Sequence, residues 1–305
     1  MPEAGRLVRR PSAQTLGWVI DTIGGRSRIA SIRPLQHGGW HANHAVDVVD
    51  RRGRTHSLVL REWSRPEWIV EDPDFTVERE LTILTRLADS AVPAPGVVAA
   101  DPDGAVCDVP TMLITRLPGR PPGTPEDMRS FLTQLAGALL PIHSIDGRAR
   151  EAVPSFRTYV ELRGLTPPAW LGLTKVWERA FSVAAGPAPA APACFIHRDY
   201  HPGNTLWSRG RLTGIVDWTQ ASWGPAPIDV GWMRWNLASE HGLQAADEFL
   251  AIHQELSETA ADHDPYWDVL TVVDHVAAID PEAPPPRDEG RVRLEQHLAA
   301  ALARL

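Results

Sequence analysis

The sequence predicts an α+β protein with two lobes, a small β-rich N-terminal lobe and a larger, mostly helical C-terminal lobe. Between residues 29 and 117, short apolar runs separated by turn residues indicate strands around one amphipathic helix. Residues 117–123 hold three prolines and two glycines, and no regular element can continue across them. Beyond them, apolar residues recur at three- and four-residue steps, which is typical of helices. We therefore expect an N-terminal domain over 1–117 and a C-terminal domain over 118–305.

The elements of the N-terminal lobe follow from residue spacing and from turn residues. Apolar residues at helical spacing predict a helix over 13–23, which the following two glycines end. A second helix is expected over 75–87. Strands are predicted over 29–35, 45–49, 56–63, 97–100, 106–109 and 111–117.

The C-terminal lobe opens with a predicted helix over 128–142. A loop rich in Pro and Ala leads from it into a short strand at 194–196, and a second strand is expected over 212–216. The rest of the lobe is predicted as helices over 231–239, 244–256, 267–278 and 291–305.

The most specific pattern is the polar loop that follows the first of these strands. Residues 195–204 read FIHRDYHPGN, and the second strand leads into Asp217. Phosphoryl transfer needs a carboxylate that accepts the proton of the attacking hydroxyl, and an Asn and a second Asp that bind Mg²⁺ against the nucleotide phosphates. Asp199 is therefore the predicted catalytic residue, and Asn204 and Asp217 are the predicted metal ligands, since oxygen ligands suit this hard cation. The spacing H-R-D-x-x-x-x-N is also the catalytic-loop signature of protein kinases.

The same stretch resembles the aminoglycoside phosphotransferase and choline kinase group. In that family the loop reads His-Gly-Asp followed by His-Pro-Gly-Asn, and the metal-binding Asp lies in a run like Ile-Asp-Trp. Residues 201–204 and 216–218 match, whereas position 198 is Arg instead of the commoner Gly. Residues 224–229 match the segment with the family's downstream Asp, which braces the loop. The resemblance spans roughly residues 30–275 and implies a protein-kinase-like fold and ATP-dependent phosphorylation of a small-molecule hydroxyl.

The resemblance also implies nucleotide-binding residues in the N-terminal lobe. Gly38, Gly39 and Asn43 resemble a loop whose glycines let backbone N–H groups approach phosphate oxygens. Arg61 stands where the family has Lys or, in some branches, Arg. The chain's single lysine, Lys175, lies between this lobe and the catalytic loop and cannot take that place. A guanidinium keeps the charge and can bond two phosphate oxygens, so Arg61 is the predicted phosphate-binding residue.

Two further assignments complete the predicted nucleotide site. Glu80 is the expected helix partner of Arg61, with Glu78 as the runner-up. Thr115 and Leu117 resemble the hinge segment whose backbone binds adenine. The N-terminal domain is thus expected to bind nucleotide, either ATP or GTP, and the C-terminal domain to carry catalysis and the acceptor.

Bulk properties exclude several classes of protein. The net charge of −8 argues against nucleic acid as the main partner. No apolar run reaches the eighteen or so residues of a membrane span, and no secretory signal is apparent. Cys107 and Cys194 lie in apolar surroundings without metal-ligand spacing, so we expect free thiols and a cytoplasmic location.

The acceptor itself is left open by the sequence. Residues 240–289 contain thirteen carboxylates and one arginine, which suggests either a site for a cationic antibiotic or amino alcohol or simply solvated helix faces. Trp232, Trp235 and Trp267 could stack on a ligand, although core packing is the simpler use. The alternative to a phosphotransferase is a nucleotide-binding module without transfer activity. A protein kinase is less favoured, because no Ala-Pro-Glu segment follows Asp217.

Overall fold

The computed structural model describes residues 10–35, 41–64, 75–147, 153–257, 263–280, 282 and 287–305. The chain divides into two compact units. The first unit comprises residues 1–118 together with 214–219, and the second comprises 119–213 together with 220–305. The predicted fold class is confirmed, because the first unit contains a five-stranded sheet and the second is mostly helical.

The first unit is built on an antiparallel sheet. Its strand order is β1-β2-β3-β5-β4. The strands are β1 Arg28–Pro34, β2 Ala42–Val49, β3 Thr55–Glu62, β4 Val97–Asp101 and β5 Thr111–Thr115. Helix α1, Ala13–Ile23, begins where the Ser12 side chain accepts a hydrogen bond from the Thr15 N–H. Helix α2 covers Val77–Leu87.

Strand register in this sheet decides which polar side chains become neighbours. Arg61 on β3 lies opposite Asn43 on β2 and opposite Met112 on β5. Apolar side chains of α1 and of the central strands form a buried cluster that includes Val19, Leu60 and Leu113. Burial of these side chains fixes the register, because a slip by one residue would turn each of them to the other face of the sheet.

The predicted strand over 106–109 is wrong. This segment is an irregular loop, in which the Asp101 carboxylate accepts the backbone N–H groups of Ala105, Val106 and Cys107 at 3.1, 2.9 and 2.6 Å. A side chain that satisfies three consecutive amides replaces the ladder that a strand would need. Periodicity could not reveal this competition, since it depends on a carboxylate several residues upstream.

The second unit is mostly helical. Its helices are α3 Met128–His143, α4 Thr174–Ala184, α5 Pro227–His241, α6 Leu243–Leu256, α7 Pro265–Ala277 and α8 Glu289–Ala303. Strand β6, Ala193–Ile196, pairs with β9, Ser222–Pro225, and β7, Thr205–Ser208, pairs with β8, Arg211–Ile215. The last residues of β8 belong to the first unit.

Side chains from α4, α5, α7 and α8 form the main core of the second unit. Trp177 and Leu298 are fully buried there. Within the described residues, no helix is both long and apolar enough to cross a bilayer.

Candidate active site

A buried carboxylate fixes the backbone of the loop that carries Asp199. Asp229 lies in the first turn of α5 and accepts the backbone N–H groups of His197 and Arg198 at 2.9 and 2.7 Å. The Nε2 atom of His143, at the end of α3, lies 3.0 Å from the same carboxylate. Hydrogen bonds to an ionised carboxylate are about twice as strong as neutral ones. Asp229 is fully buried and therefore holds the loop from the protein interior.

Asp199 and Asn204 meet within this loop. The Asn204 Nδ2 atom lies 2.9 Å from Asp199 Oδ2 and also 2.9 Å from the Asp199 carbonyl oxygen. His201 Nε2 lies 3.8 Å from the same carboxylate oxygen, and the Asp199 side chain keeps 26% of its surface exposed. Because the Asn204 amide nitrogen is used on Asp199, its carbonyl oxygen is the atom suited to a hard cation.

Arg198 adopts a backbone conformation that favours glycine. Its φ is 70°, in the left-handed region that side chains disfavour. The buried guanidinium carbon lies 4.0 Å from the centroid of the Tyr159 ring and 5.6 Å from that of Phe156. Its Nη1 atom donates to Gln220 Oε1 at 2.9 Å. These side-chain contacts offset the backbone strain next to Asp199.

In the first unit, Arg61 lies between two carboxylates. Its Nε atom is 3.1 Å from Glu80 Oε2, and its Nη2 atom is 3.0 Å from Asp217 Oδ1. Arg61 and Glu80 are almost completely buried, at 6% and 1% exposure. The structure thus brings together three of the residues that were predicted to bind nucleotide and metal. Glu78 is exposed, so Glu80 is the glutamate that reaches Arg61.

The electrostatics of this group follow first from burial and then from the presence of two carboxylates beside one guanidinium. Burial raises the pKa of Glu80 to about 7, although Arg61 acts in the opposite direction, and Asp217 raises this pKa further. One guanidinium cannot fully neutralise two nearby carboxylates, of which Glu80 is almost completely buried. The pKa of Arg61 is raised by both acids against the effect of its burial, so this side chain stays charged.

Asp217 is held both by Arg61 and by a nearby residue of its own segment. Its φ is 64°, an uncommon value for a residue other than glycine. The Thr219 hydroxyl donates to Asp217 Oδ1 at 3.2 Å. The carboxylate keeps 23% of its surface exposed, so it is accessible to a ligand.

The other predicted phosphate-loop residues are only partly described. Asn43 lies on β2 opposite Arg61 and is 8% exposed. Gly38 and Gly39 lie outside the described residues, so their proposed role at the phosphates stays a prediction.

The predicted hinge lies at the end of β5. The backbone N–H of Thr115 donates to the Gly96 carbonyl at 2.8 Å, and the Arg116 N–H donates to the Ser57 carbonyl at 3.0 Å. Both amides are therefore used within the sheet and its edge. Leu117 is half-buried, and the role of this segment in binding the base stays a prediction.

Carboxylates of the acid-rich segment are largely used in structure. Asp268 is fully buried and lies 2.9 Å from Arg234 Nε and 3.1 Å from Arg304 Nη2. Others cap helices, bond nearby amides or form ion pairs: Asp247, Glu248, Asp264, Asp274, Asp280, Asp288 and Glu289. Trp232, Trp235 and Trp267 are buried in the core. These contacts support the structural use of these residues, and the cationic-acceptor site stays a prediction.

Sequence reasoning missed several residues that support the site. The Nδ1 atom of His41 lies 3.2 Å from the Nη2 atom of Arg61. His143 lies 3.0 Å from the Asp229 carboxylate through its Nε2 atom. Tyr159 and Gln220 hold Arg198. No local motif marks these residues, because each contacts its partner across a distance in sequence of twenty residues or more.

Comparisons with known proteins identify the family and the fold of this chain. A family model described as the phosphotransferase enzyme family matches residues 37–263. Macrolide 2'-phosphotransferase MphH from Brachybacterium faecium is similar in structure, with 16% identity over 90% of this chain and 92% of that chain and a TM-score of 0.59. A thermostable mutant of aminoglycoside phosphotransferase APH(4)-Ia, solved with ADP and hygromycin B, is also similar in structure. The identity is 15% over 95% of this chain and 98% of that chain, and the TM-score is 0.63.

A third structure carries a different nucleotide. Aminoglycoside 2'-phosphotransferase-IIIa, solved with GDP, gives 19% identity over 90% of this chain and 94% of that chain and a TM-score of 0.63. Matches at such low identity show a common fold, and they confirm the predicted kinase-like class. No curated protein sequence gives a significant match.

Proposed function

Because this chain belongs to the phosphotransferase enzyme family and is a kinase-type enzyme with a hydroxyl acceptor, we propose that it transfers the γ-phosphoryl group of Mg·ATP to a small molecule. The observation that carries the proposal is the Asp199 carboxylate, held by the Asn204 amide at 2.9 Å and still partly exposed. A base that is fixed in orientation and open to an acceptor is what general base catalysis requires.

In the proposed reaction, Asp199 takes part in proton transfer, whereas Arg61 and Glu80 serve phosphate binding. Asp199 accepts the proton of the acceptor hydroxyl as the acceptor oxygen bonds to the γ-phosphorus. The bond from that phosphorus to the β,γ-bridging oxygen breaks, and ADP leaves. Arg61 binds the phosphates, and its charge is maintained by Glu80. The N-terminal domain, residues 1–117, thus serves nucleotide binding, and the domain over 118–305 serves the acceptor and catalysis.

The donor set of this chain also fits magnesium. Asn204 and Asp217 offer a carbonyl and a carboxylate oxygen, the ligand type that Mg²⁺ prefers. When bound, the ion would neutralise charge that develops on the transferring phosphoryl group. Asp217 also pairs with Arg61, whose Nη2 atom lies 3.0 Å from its Oδ1 atom.

The nucleotide and acceptor are proposed by class only. ATP is the expected donor, with GTP as the alternative because a backbone hinge can bind either base. Neighbouring structures were solved with ADP and hygromycin B or with GDP. We expect the acceptor to be a hydroxylated small molecule, such as a cationic antibiotic or an amino alcohol, acted on in the cytoplasm.

The test combines one variant with one screen. The wild-type enzyme is incubated with ATP or GTP and a mixed antibiotic and metabolite library, and mass spectrometry detects the gain of about 80 Da expected for an added phosphoryl group. Asp199→Asn keeps an acceptor for the Asn204 amide but cannot take a proton at neutral pH. We expect kcat to fall by about 100-fold or more, with ATP affinity unchanged within about twofold.

The matched control is Asp89→Asn, at an exposed position after α2. It should leave turnover unchanged. Full turnover in Asp199→Asn would exclude Asp199 as the base. Tight ATP binding without product on any compound would instead favour the nucleotide-binding module.

A further inference from the structure

The use of arginine at position 61 creates a geometric problem that lysine would not. An ammonium group is compact and can rotate toward a phosphate, whereas a guanidinium is planar and must be held in the correct plane. Glu80 contacts Arg61 at Nε. Asp217 contacts Nη2, but the same carboxylate is a proposed metal ligand. A partner that stays in place when ligands bind is therefore needed on the Nη2 side.

His41 lies in that position. Its Nδ1 atom is 3.2 Å from Arg61 Nη2. Arginine can only donate hydrogen bonds, so Nδ1 must be the acceptor and the ring must carry its proton on Nε2. Burial lowers the pKa of His41 well below its usual value, and the adjacent Arg61 lowers it further, so the ring stays neutral.

Aromatic neighbours hold the imidazole in this orientation. The Trp63 ring lies edge-on to it, with centroids 4.3 Å apart and planes at 72°. The Phe75 ring stacks on it at 4.8 Å with planes at 23°. His41 itself is only 2% exposed. A ring clamped in this way presents a fixed acceptor and loses little further conformational entropy when Arg61 bonds to it.

We propose that His41 is a positioning residue for Arg61: it holds the Nη2 side of the guanidinium in the plane required for phosphate binding. Arginine in place of lysine and histidine at position 41 would then form a matched pair. The inference rests on the proposed function, because it takes Arg61 as the residue that binds the nucleotide phosphates.

The test is a double-mutant cycle on the full-length protein. His41→Phe keeps a ring between Trp63 and Phe75 but removes the acceptor, and His41→Gln supplies an acceptor oxygen without the ring. Each is made with Arg61 and with Arg61→Lys. Calorimetry measures the Kd for ATP with Mg²⁺ and without acceptor, and the thermal midpoint of unfolding is recorded for every variant.

We expect His41→Phe to raise the Kd for ATP by about tenfold with Arg61, the loss of one hydrogen bond to a charged group. With Arg61→Lys the same change should alter the Kd by less than about twofold, since an ammonium needs no such support. His41→Gln should restore part of the affinity with Arg61 even if its thermal midpoint falls.

Two results would overturn the inference, and they differ in what they imply. If His41→Phe weakens ATP binding equally in both backgrounds, or not at all, then His41 only fills space. If Arg61→Ala leaves the Kd for ATP unchanged, the proposed phosphate role of Arg61 is wrong, and the positioning role fails with it. Should His41→Phe not fold, His41→Leu, which also lacks an acceptor, takes its place in the cycle: equal Kd ratios in both backgrounds would refute the inference.

Discussion

The backbone beside the proposed catalytic base allows strain and side-chain contacts to be measured separately. Arg198 has a φ of 70°. Glycine adopts this conformation freely, whereas other residues lose roughly 1–2 kcal/mol in it. Replacing Arg198 with Ala removes its contacts and keeps the strain. Replacing it with Gly removes the same contacts and also relieves the strain.

The expected magnitudes follow from what Arg198 touches. The guanidinium 4.0 Å from the Tyr159 ring centroid contributes about 1 kcal/mol. Its hydrogen bond to Gln220 involves a charged donor, which is typically worth about 1.5–3 kcal/mol. Arg198→Ala should therefore destabilise the fold by about 3 kcal/mol. Arg198→Gly should recover about 1 kcal/mol of that loss, after allowance for the greater flexibility of glycine in the unfolded chain.

Urea denaturation at pH 7.5, extrapolated to water, measures these free energies of unfolding. Arg209 provides the matched control, since it has a φ of 51° and an exposed side chain. The free energy of unfolding of Arg209→Gly should exceed that of Arg209→Ala by the same margin of about 1 kcal/mol. Neither substitution at this position removes contacts like those of Arg198. An Arg198→Gly variant no more stable than Arg198→Ala, or no loss of stability in either variant, would contradict these expected values.

Two further predictions concern Asp229 and His253. In the wild-type protein two backbone N–H groups of the catalytic loop donate to the two oxygens of Asp229. Asp229→Asn leaves only one acceptor oxygen, so one of these amides loses its partner at a cost of about 1–3 kcal/mol. We expect turnover to fall while the Kd for ATP stays unchanged, and a normal kcat would contradict this. Burial, assisted by His143 and His263, lowers the pKa of His253 to about 4. Between pH 6.5 and 4 the unfolded chain therefore binds a proton that the folded protein does not, so stability falls as the pH falls, by about 1 kcal/mol at pH 5.5. His253→Phe should reduce the difference in unfolding free energy between pH 7.5 and 5.5 by that amount, and an unchanged difference would show that other groups cause it.

The fold class could be predicted because local patterns and tertiary contacts agree over most of the chain. Helix α1 begins and ends at the predicted residues, since its apolar spacing and its glycine stop act locally. The structure of the segment at 106–109 could not be predicted, because the backbone N–H groups of this segment donate to the Asp101 carboxylate and not to a neighbouring strand. The hydrogen bonds to this side chain outweigh the local preference of the segment for a strand.

The chemical groups of this enzyme can be identified from the order of its amino acids alone. A carboxylate, a carboxamide and a second carboxylate at fixed spacing indicate phosphoryl transfer whatever the details of the fold. The single lysine in the wrong place left Arg61 as the phosphate-binding candidate.

The contacts that hold those groups in place arise only when the chain folds. Arg61 and Asp217 are 156 residues apart in sequence yet 3.0 Å apart in the structure. Likewise, His143 reaches Asp229 across 86 residues. Such partners leave no periodic signal, because a buried charge requires a counter-charge nearby in space and not in sequence.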